Sequence, residues 1–161
     1  CTCSEAPPEH LRKLIANVDE SVSAQYYGCG LVAPELLEGA KVLDLGCGSG
    51  RDCYVLAQMV GESGLVVGLD MTQEQLDVAL AAEASMAKKF GYKKPNTRFV
   101  LGHMENLAEL DEMKDLRGTF DVIVSNCVLN LSRHKRQVLS FLLSIFGSLI
   151  SDFTKFNRCR C

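Results

Sequence analysis

Apolar residues along this chain follow two different spacings. Between residues 10 and 25, Leu11, Leu14, Ile15, Val18 and Val22 recur three and four positions apart, which predicts one amphipathic helix. Val42-Leu43-Asp44-Leu45 is instead a short, nearly continuous apolar run of the kind that forms a buried strand. The helical period returns over residues 51–60 and stops at Gly61. Residues 65–69 repeat the continuous pattern and suit a strand covered on both faces. Thr72 and Gln75 have capping-box spacing and open a helix to about Phe90, with Gly91 as its end. Residues 97–101 and 120–125 predict a third and a fourth strand, with a short helix and a loop over 107–118 between them. Pro34 suits the first position of a helical turn between residues 31 and 39.

Strands alternating with helices of these lengths predict an α/β fold with a Rossmann-like parallel sheet of about four strands and right-handed crossovers. Residues 1–9 read as a flexible lead-in, 10–139 as the folded domain and 140–161 as a divergent apolar tail. Residues 138–150 are apolar nearly all round but too short for a membrane span of about 20 residues, so a buried or partner-facing helix is expected.

Composition narrows the class further. The 161 residues are 47% hydrophobic, enough for a core, and the net charge of −3 with no basic stripe points away from nucleic acid. The chain opens Cys1-Thr2-Cys3 with neither a methionine nor a secretory pattern, so an incomplete N-terminus and a cytoplasmic setting are expected. Eight cysteines raise the prospect of a disulfide scaffold. Such scaffolds replace a missing core, and this chain has one, so free thiols in a reducing compartment are expected instead. The terminal Cys159 and Cys161 make one pair, short of a structural zinc set.

Candidate chemistry centres on Leu45-Gly46-Cys47-Gly48-Ser49-Gly50-Arg51, where the first strand runs into alternating glycines and a helix start. Glycine lets backbone approach a ligand, and the helix aims free N–H groups into the same space. Asp70 ends the second strand about 20 residues on, where a carboxylate can accept two ribose hydroxyls. With Arg51 following Gly50, the third glycine comes one residue early for a pyrophosphate cradle, which disfavours a nicotinamide oxidoreductase. His103 sits in a polar turn after the third strand and is a candidate base, or simply a contact to a base ring or solvent. Cys127 falls just past the fourth strand, and Cys29 lies in a glycine-flanked loop that could fold over the same crevice. Cys1 or Cys3 could add a third thiol. Converging thiolates suit a soft, thiophilic substrate, while a small buried hydrophobe remains the plainer reading of Cys127.

Tyr26-Tyr27-Gly28-Cys29-Gly30, the stretch over 43–56, Gly68-Leu69-Asp70-Met71-Thr72 and Ser125-Asn126-Cys127-Val128 together resemble the arsenite methyltransferases, over about residues 10–139. The Asp44-led glycine motif is shared by all class I S-adenosylmethionine-dependent methyltransferases. The resemblance implies a sheet in the order 3-2-1-4, and S-adenosyl-L-methionine as co-substrate. Its contacts would be Tyr27, Asp44, Gly46, Gly48, Gly50, Arg51, Asp70, Met71, His103, Met104, Glu105 and Asn126. Of these, Tyr27 would cover the methionine end, Met71 would pack on the adenine, and His103, Met104 and Glu105 would line its edge. It also implies trivalent arsenic held by Cys29, Cys127 and Cys1 or Cys3, with arsenite or its thiol conjugates as substrate. Glutathione or thioredoxin would be the reductant. The family's later strands and cysteine are missing after Leu139, so a truncated or alternatively spliced product is expected. A non-catalytic binding fragment and a methyltransferase for another small acceptor stay as alternatives.

Overall fold

The structure, a computed structural model, describes residues 7–28, 30–31, 33–34 and 37–145. Four strands, β1 (Lys41–Leu45), β2 (Leu65–Asp70), β3 (Thr97–Leu101) and β4 (Val122–Ser125), form a parallel sheet in the order β3-β2-β1-β4. Their side chains alternate between two cores, as the strand period requires. Leu43, Leu45, Val67 and Leu69 face one way and pack with Leu107, Met113, Phe120, Val138 and Leu142. Val42 and Val66 face the other and pack on Leu56, Ala57 and Val60 of helix α3 (Arg51–Val60). Among the described residues β4 pairs only with β1, which leaves its other edge open.

α3 and α4 (Gln73–Phe90) take the expected bounds, and both end at glycines with left-handed φ, Gly61 at +72° and Gly91 at +80°. The first predicted helix is instead two: α1 (Glu9–Ala16) and α2 (Glu20–Ser23). Asn17 and Asp19, both residues that favour helix ends, flank the break. Asn17 donates its side-chain amide to Gln58 Oε1 at 2.8 Å, tying that break to α3. The change of direction lets Val18 and Val22 both enter a third cluster with Tyr54, Val55 and Met86.

Other boundaries shift as well. Between Leu31 and Gly39 the described positions are not helical, and Gly39 turns at φ +75°. Two 3-10 turns, Met104–Glu109 and Asp111–Leu116, replace the expected polar turn, short helix and loop. The last described helix, α5 (Lys135–Ile145), begins three residues before the apolar run. It buries Val138 and Leu142 while Lys135, Arg136 and Ser140 stay exposed. Residues 146–161, with Cys159 and Cys161, lie outside the described residues.

The capping box at Thr72 does not form, and the reason is local. In that motif Gln75 would accept the Thr72 N–H, but the Asp70 carboxylate already accepts it at 2.9 Å. A charged acceptor two residues away wins over a neutral amide. Gln75 Oε1 is left buried without a partner, and Thr72 makes no side-chain cap. Thr72→Ala is therefore expected to change stability by less than about 0.5 kcal/mol in urea denaturation, where a working cap would cost about 1 kcal/mol.

Candidate functional site

Parallel pairing brings the carboxyl ends of β1, β2, β3 and β4 to one edge. Leu45 lies beside Leu69 and Ser125, and Asp70 beside Leu101. From β1 the chain turns through Gly46 and Gly48, with φ +77° and +54°, values that side-chain-bearing residues adopt only under strain. A Cβ on Gly46 would lie 2.5 Å from Val128 Cγ2, so the turn packs directly against the segment that follows β4. Gly46 and Cys47 donate their backbone N–H groups to Leu69 O at 2.7 and 3.0 Å. Gly48 donates to Asp70 Oδ2 at 2.8 Å. Asp70 thus holds the glycine turn with one oxygen and the start of α4 with the other. Each oxygen keeps a lone-pair direction for a further donor.

A cleft of about 330 Å³ opens at this edge. Of the residues singled out from the sequence, Gly46, Asp70, Met71, His103, Met104 and Glu105 line it. Leu69, Thr72, Gly102, Val128, Leu131 and Ser132 line it too and were not foreseen. Met71 and Leu131 are 67% and 72% exposed, so apolar surface stands open at its mouth. Glu105 accepts from Ser132 Oγ at 2.5 Å, and this hydrogen bond holds its carboxyl below the usual carboxylate range. That bond joins the turn after β3 to the loop before α5. A larger hollow of about 420 Å³ lies between α2 and α4, but no strand or glycine-turn residue lines it.

Beside the cleft lies a polar cluster. Arg51 makes an ion pair with Asp52 at 2.9 Å and sets its guanidinium 3.1 Å from the centre of the Tyr26 ring. Asn126, at the end of β4, directs its amide nitrogen to Tyr26 Oη at 2.8 Å, Asp52 Oδ2 at 3.1 Å and the Gly30 carbonyl. The Tyr26 hydroxyl donates to Gly30 O at 2.8 Å, and its burial raises the phenol above its usual range. Tyr26, Asp52 and Ser132 were not singled out from the sequence. Only the neighbouring positions 27 and 51 were, and the structure turns Tyr27 outward at 86% exposed.

The thiols divide. Cys47 and Cys53 are buried and free, and their sulfurs fill the space a Cβ on Gly68 would take. Cys53 donates to Asp44 Oδ2 at 3.3 Å. Cys127 is half-buried and free, in the left-handed region at φ +61°, an uncommon conformation for a residue with a side chain. Cys1, Cys3 and Cys29 lie outside the described residues, but the residues on either side of Cys29 do not. The Gly30 carbonyl is bound by Asn126, and a Cβ on Gly28 would collide with the Tyr26 hydroxyl and the Asn126 amide. Gly30 is therefore bound by the residue that precedes Cys127, and Gly28 lies close against the same side chain. Among the described residues no group of three or more His, Cys, Asp or Glu side chains is placed to hold a metal ion.

Residues 36–157 match a family described as a methyltransferase domain. The chain belongs to that family. This methyltransferase domain is 57% identical over 139 residues to an arsenite methyltransferase of Aquipseudomonas alcaligenes, covering 86% of this chain and 39% of that protein. It is 49% identical over 138 residues to an arsenite methyltransferase of Rattus norvegicus, covering 86% and 37%. Among solved structures it is similar to an arsenic(III) S-adenosylmethionine methyltransferase from Chlamydomonas reinhardtii. The TM-score is 0.82 and the identity 44%, over 88% of this chain and 46% of that one. The methyltransferase domain thus spans less than half the length of these relatives. Its sheet order is the one the class I resemblance implied. No described helix is long and apolar enough to cross a membrane.

Asp44 is the acid of the glycine motif with the fewest partners. Burial, then the nearby charge of Asp52, pushes its pKa up to about 7. An acid raised on folding holds its proton in the native state where the unfolded chain has lost it. Its contribution to stability is therefore full below about pH 4 and lost as pH rises through about 7. The melting temperature of Asp44→Asn, taken relative to the unchanged protein, is expected to climb between pH 4 and pH 7 and then level off.

Proposed function

We propose that this domain takes part in methyl transfer from S-adenosylmethionine to trivalent arsenic held by cysteine thiolates. The observation that carries the proposal is the shared anchor at Asn126. It joins the loop bearing Cys29 to the strand end bearing Cys127, beside a cleft built by the glycine turn and Asp70. The names of the relatives, arsenite methyltransferases at 47–57% identity, support the same acceptor.

The residues present suit the methyl donor. Asp70 retains acceptor capacity for ribose hydroxyls, and Met71 and Leu131 offer apolar surface to a flat base, with Met104 and the Glu105–Ser132 pair at its edge. The turn through Gly46 and Gly48 runs directly into α3 at Arg51, so backbone rather than side chain would meet the donor's amino-acid end there. When bound, S-adenosylmethionine supplies a methyl carbon whose bond to sulfonium sulfur breaks as a nucleophile's lone pair takes it. No proton needs to move at that carbon, so the domain's work is positioning. Thiolates from Cys29 and Cys127, with Cys1 or Cys3, hold the arsenic and leave its lone pair free to face the methyl. His103 lines the cleft as a contact residue and needs no role as a base. A reducing, cytoplasmic setting and a thiol reductant such as glutathione or thioredoxin keep these sulfurs available. A second reading, a binding module for donor and arsenic without turnover, would use the same cleft.

The test is methylated arsenic formed from arsenite, glutathione and S-adenosylmethionine. Unchanged protein is expected to give product, and Cys29→Ser or Cys127→Ser to reduce it to background. Arsenite binding without product selects the binding module, and full activity in Cys127→Ser rules out the thiolate site. For the donor, Asp70→Asn is expected to weaken S-adenosylmethionine binding about tenfold or more by calorimetry, the loss of a charge-assisted hydrogen bond.

A further inference from the structure

We propose that Ser132 is a positioning residue: its hydroxyl fastens the segment of residues 127–132, which carries Cys127 and forms part of the cleft wall, to Glu105 in the turn after β3. The inference rests on the reading of that cleft as the methyl-donor site. It goes beyond that reading by joining the donor cleft to the Cys127 segment through one named side chain.

The segment is pinned near both ends. Close to its start Val128 packs on the glycine turn, where a Cβ on Gly46 would lie 2.5 Å from Val128 Cγ2. A single 3-10 turn, Leu129–Leu131, then leads to Ser132, which is buried. The Ser132 hydroxyl meets two groups. The His134 backbone N–H donates to Ser132 Oγ at 3.1 Å. The hydroxyl's own proton goes to Glu105 Oε1 at 2.5 Å, a carboxylate oxygen that can only accept. One side chain therefore ends the segment, steadies the chain leading into α5 and ties both to the turn after β3. That turn is a firm support, because its Leu107 and Val138 of α5 are fully buried in one core cluster. Gln137 of α5 also donates to Glu105 O at 3.4 Å. At the other end of the segment, Cys127 is half-buried at φ +61°. Such a backbone persists where its surroundings over-determine it, and the two pins do so here. Val128, Leu131 and Ser132 line the same cleft as Asp70, Met71 and Glu105. A donor that fills it meets the segment and the strand ends together, and so favours the fastened arrangement over a loosened one.

The experiment is a timed pulse of iodoacetamide on the 161-residue chain, with and without saturating S-adenosylhomocysteine, read by mass spectrometry of tryptic peptides. Residues 118–133 form one such peptide with Cys127 as its only cysteine, and residues 52–88 form another with Cys53 alone. S-adenosylhomocysteine is expected to slow alkylation of Cys127 in the unchanged protein. Without it, Ser132→Ala should speed alkylation of Cys127 about tenfold, the scale of one hydrogen bond to a charged group. Cys53, fully buried, should stay as slow as before. Labelling of Cys53 that rises in step with Cys127 marks a general loss of packing and overturns the proposal. Ser132→Thr keeps the hydroxyl and should return the Cys127 rate to that of the unchanged protein. Glu105→Ala removes the other partner and should speed Cys127 by the same factor, with no further gain in the double variant, and it carries the test if S132A fails to fold. An unchanged Cys127 rate in the folded alanine variants, or a rate in S132T equal to that in S132A, overturns the fastening and leaves the donor reading intact. So does S-adenosylhomocysteine that binds by calorimetry without slowing Cys127. No binding of S-adenosylhomocysteine to the unchanged protein overturns the donor reading itself, and the proposal with it.

Discussion

Backbone register across β2, β1 and β4 decides what can meet at the edge of this sheet. Leu45 is held level with Leu69 and Ser125, so the glycine turn, Asp70 and Asn126 all leave the sheet at the same height. A slip of one residue in any pair would turn Leu43 and Leu45 out of their core and Asp44 into it. The cost of moving those side chains, both fully buried, holds the register, and the register holds the site.

Three carboxylates crowd the first turn, and the partners available to each decide its state. Asp70 accepts two backbone N–H groups. Asp52 is buried, which raises its pKa, but Arg51, Asn126 and Tyr26 all oppose that shift. Asp44 has only the thiol of Cys53 and the charges of its neighbours, and it is the one displaced to about 7. Charge at this edge is thus graded, from a neutral-leaning acid under the turn to well-satisfied acids beside the cleft. A positively charged sulfonium would find its favourable surroundings here.

Much of this was legible in the residues, and the misses share a cause. Continuous apolar runs identified the strands, and Gly61 and Gly91 marked the ends of α3 and α4, because those signals are local. The Asp-led glycine turn likewise located the cleft, six of whose lining residues were singled out in advance. What pattern could not show was competition between neighbours. Thr72 and Gln75 have ideal capping spacing, yet Asp70 takes the N–H that Gln75 needs. Tyr26 and Tyr27 are equivalent on paper, and the first is held inward by Arg51, Asp52 and Asn126, residues from 25 to 100 positions away. Ser132 had no motif around it, and its pairing with Glu105 depends on how the loop before α5 returns to β3. Val18 and Val22 kept their helical spacing while Asn17 and Asp19 broke the helix between α1 and α2.

The central claim is that two loops far apart in sequence deliver soft sulfur to one point beside the donor cleft. Arsenic K-edge X-ray absorption on the arsenite-loaded chain tests it most directly, because it counts the atoms bound to arsenic. The account predicts sulfur neighbours only, with oxygen replacing sulfur when Cys29 and Cys127 are both changed to serine. A sulfur shell that survives that double change, or an oxygen shell in the unchanged protein, would contradict it.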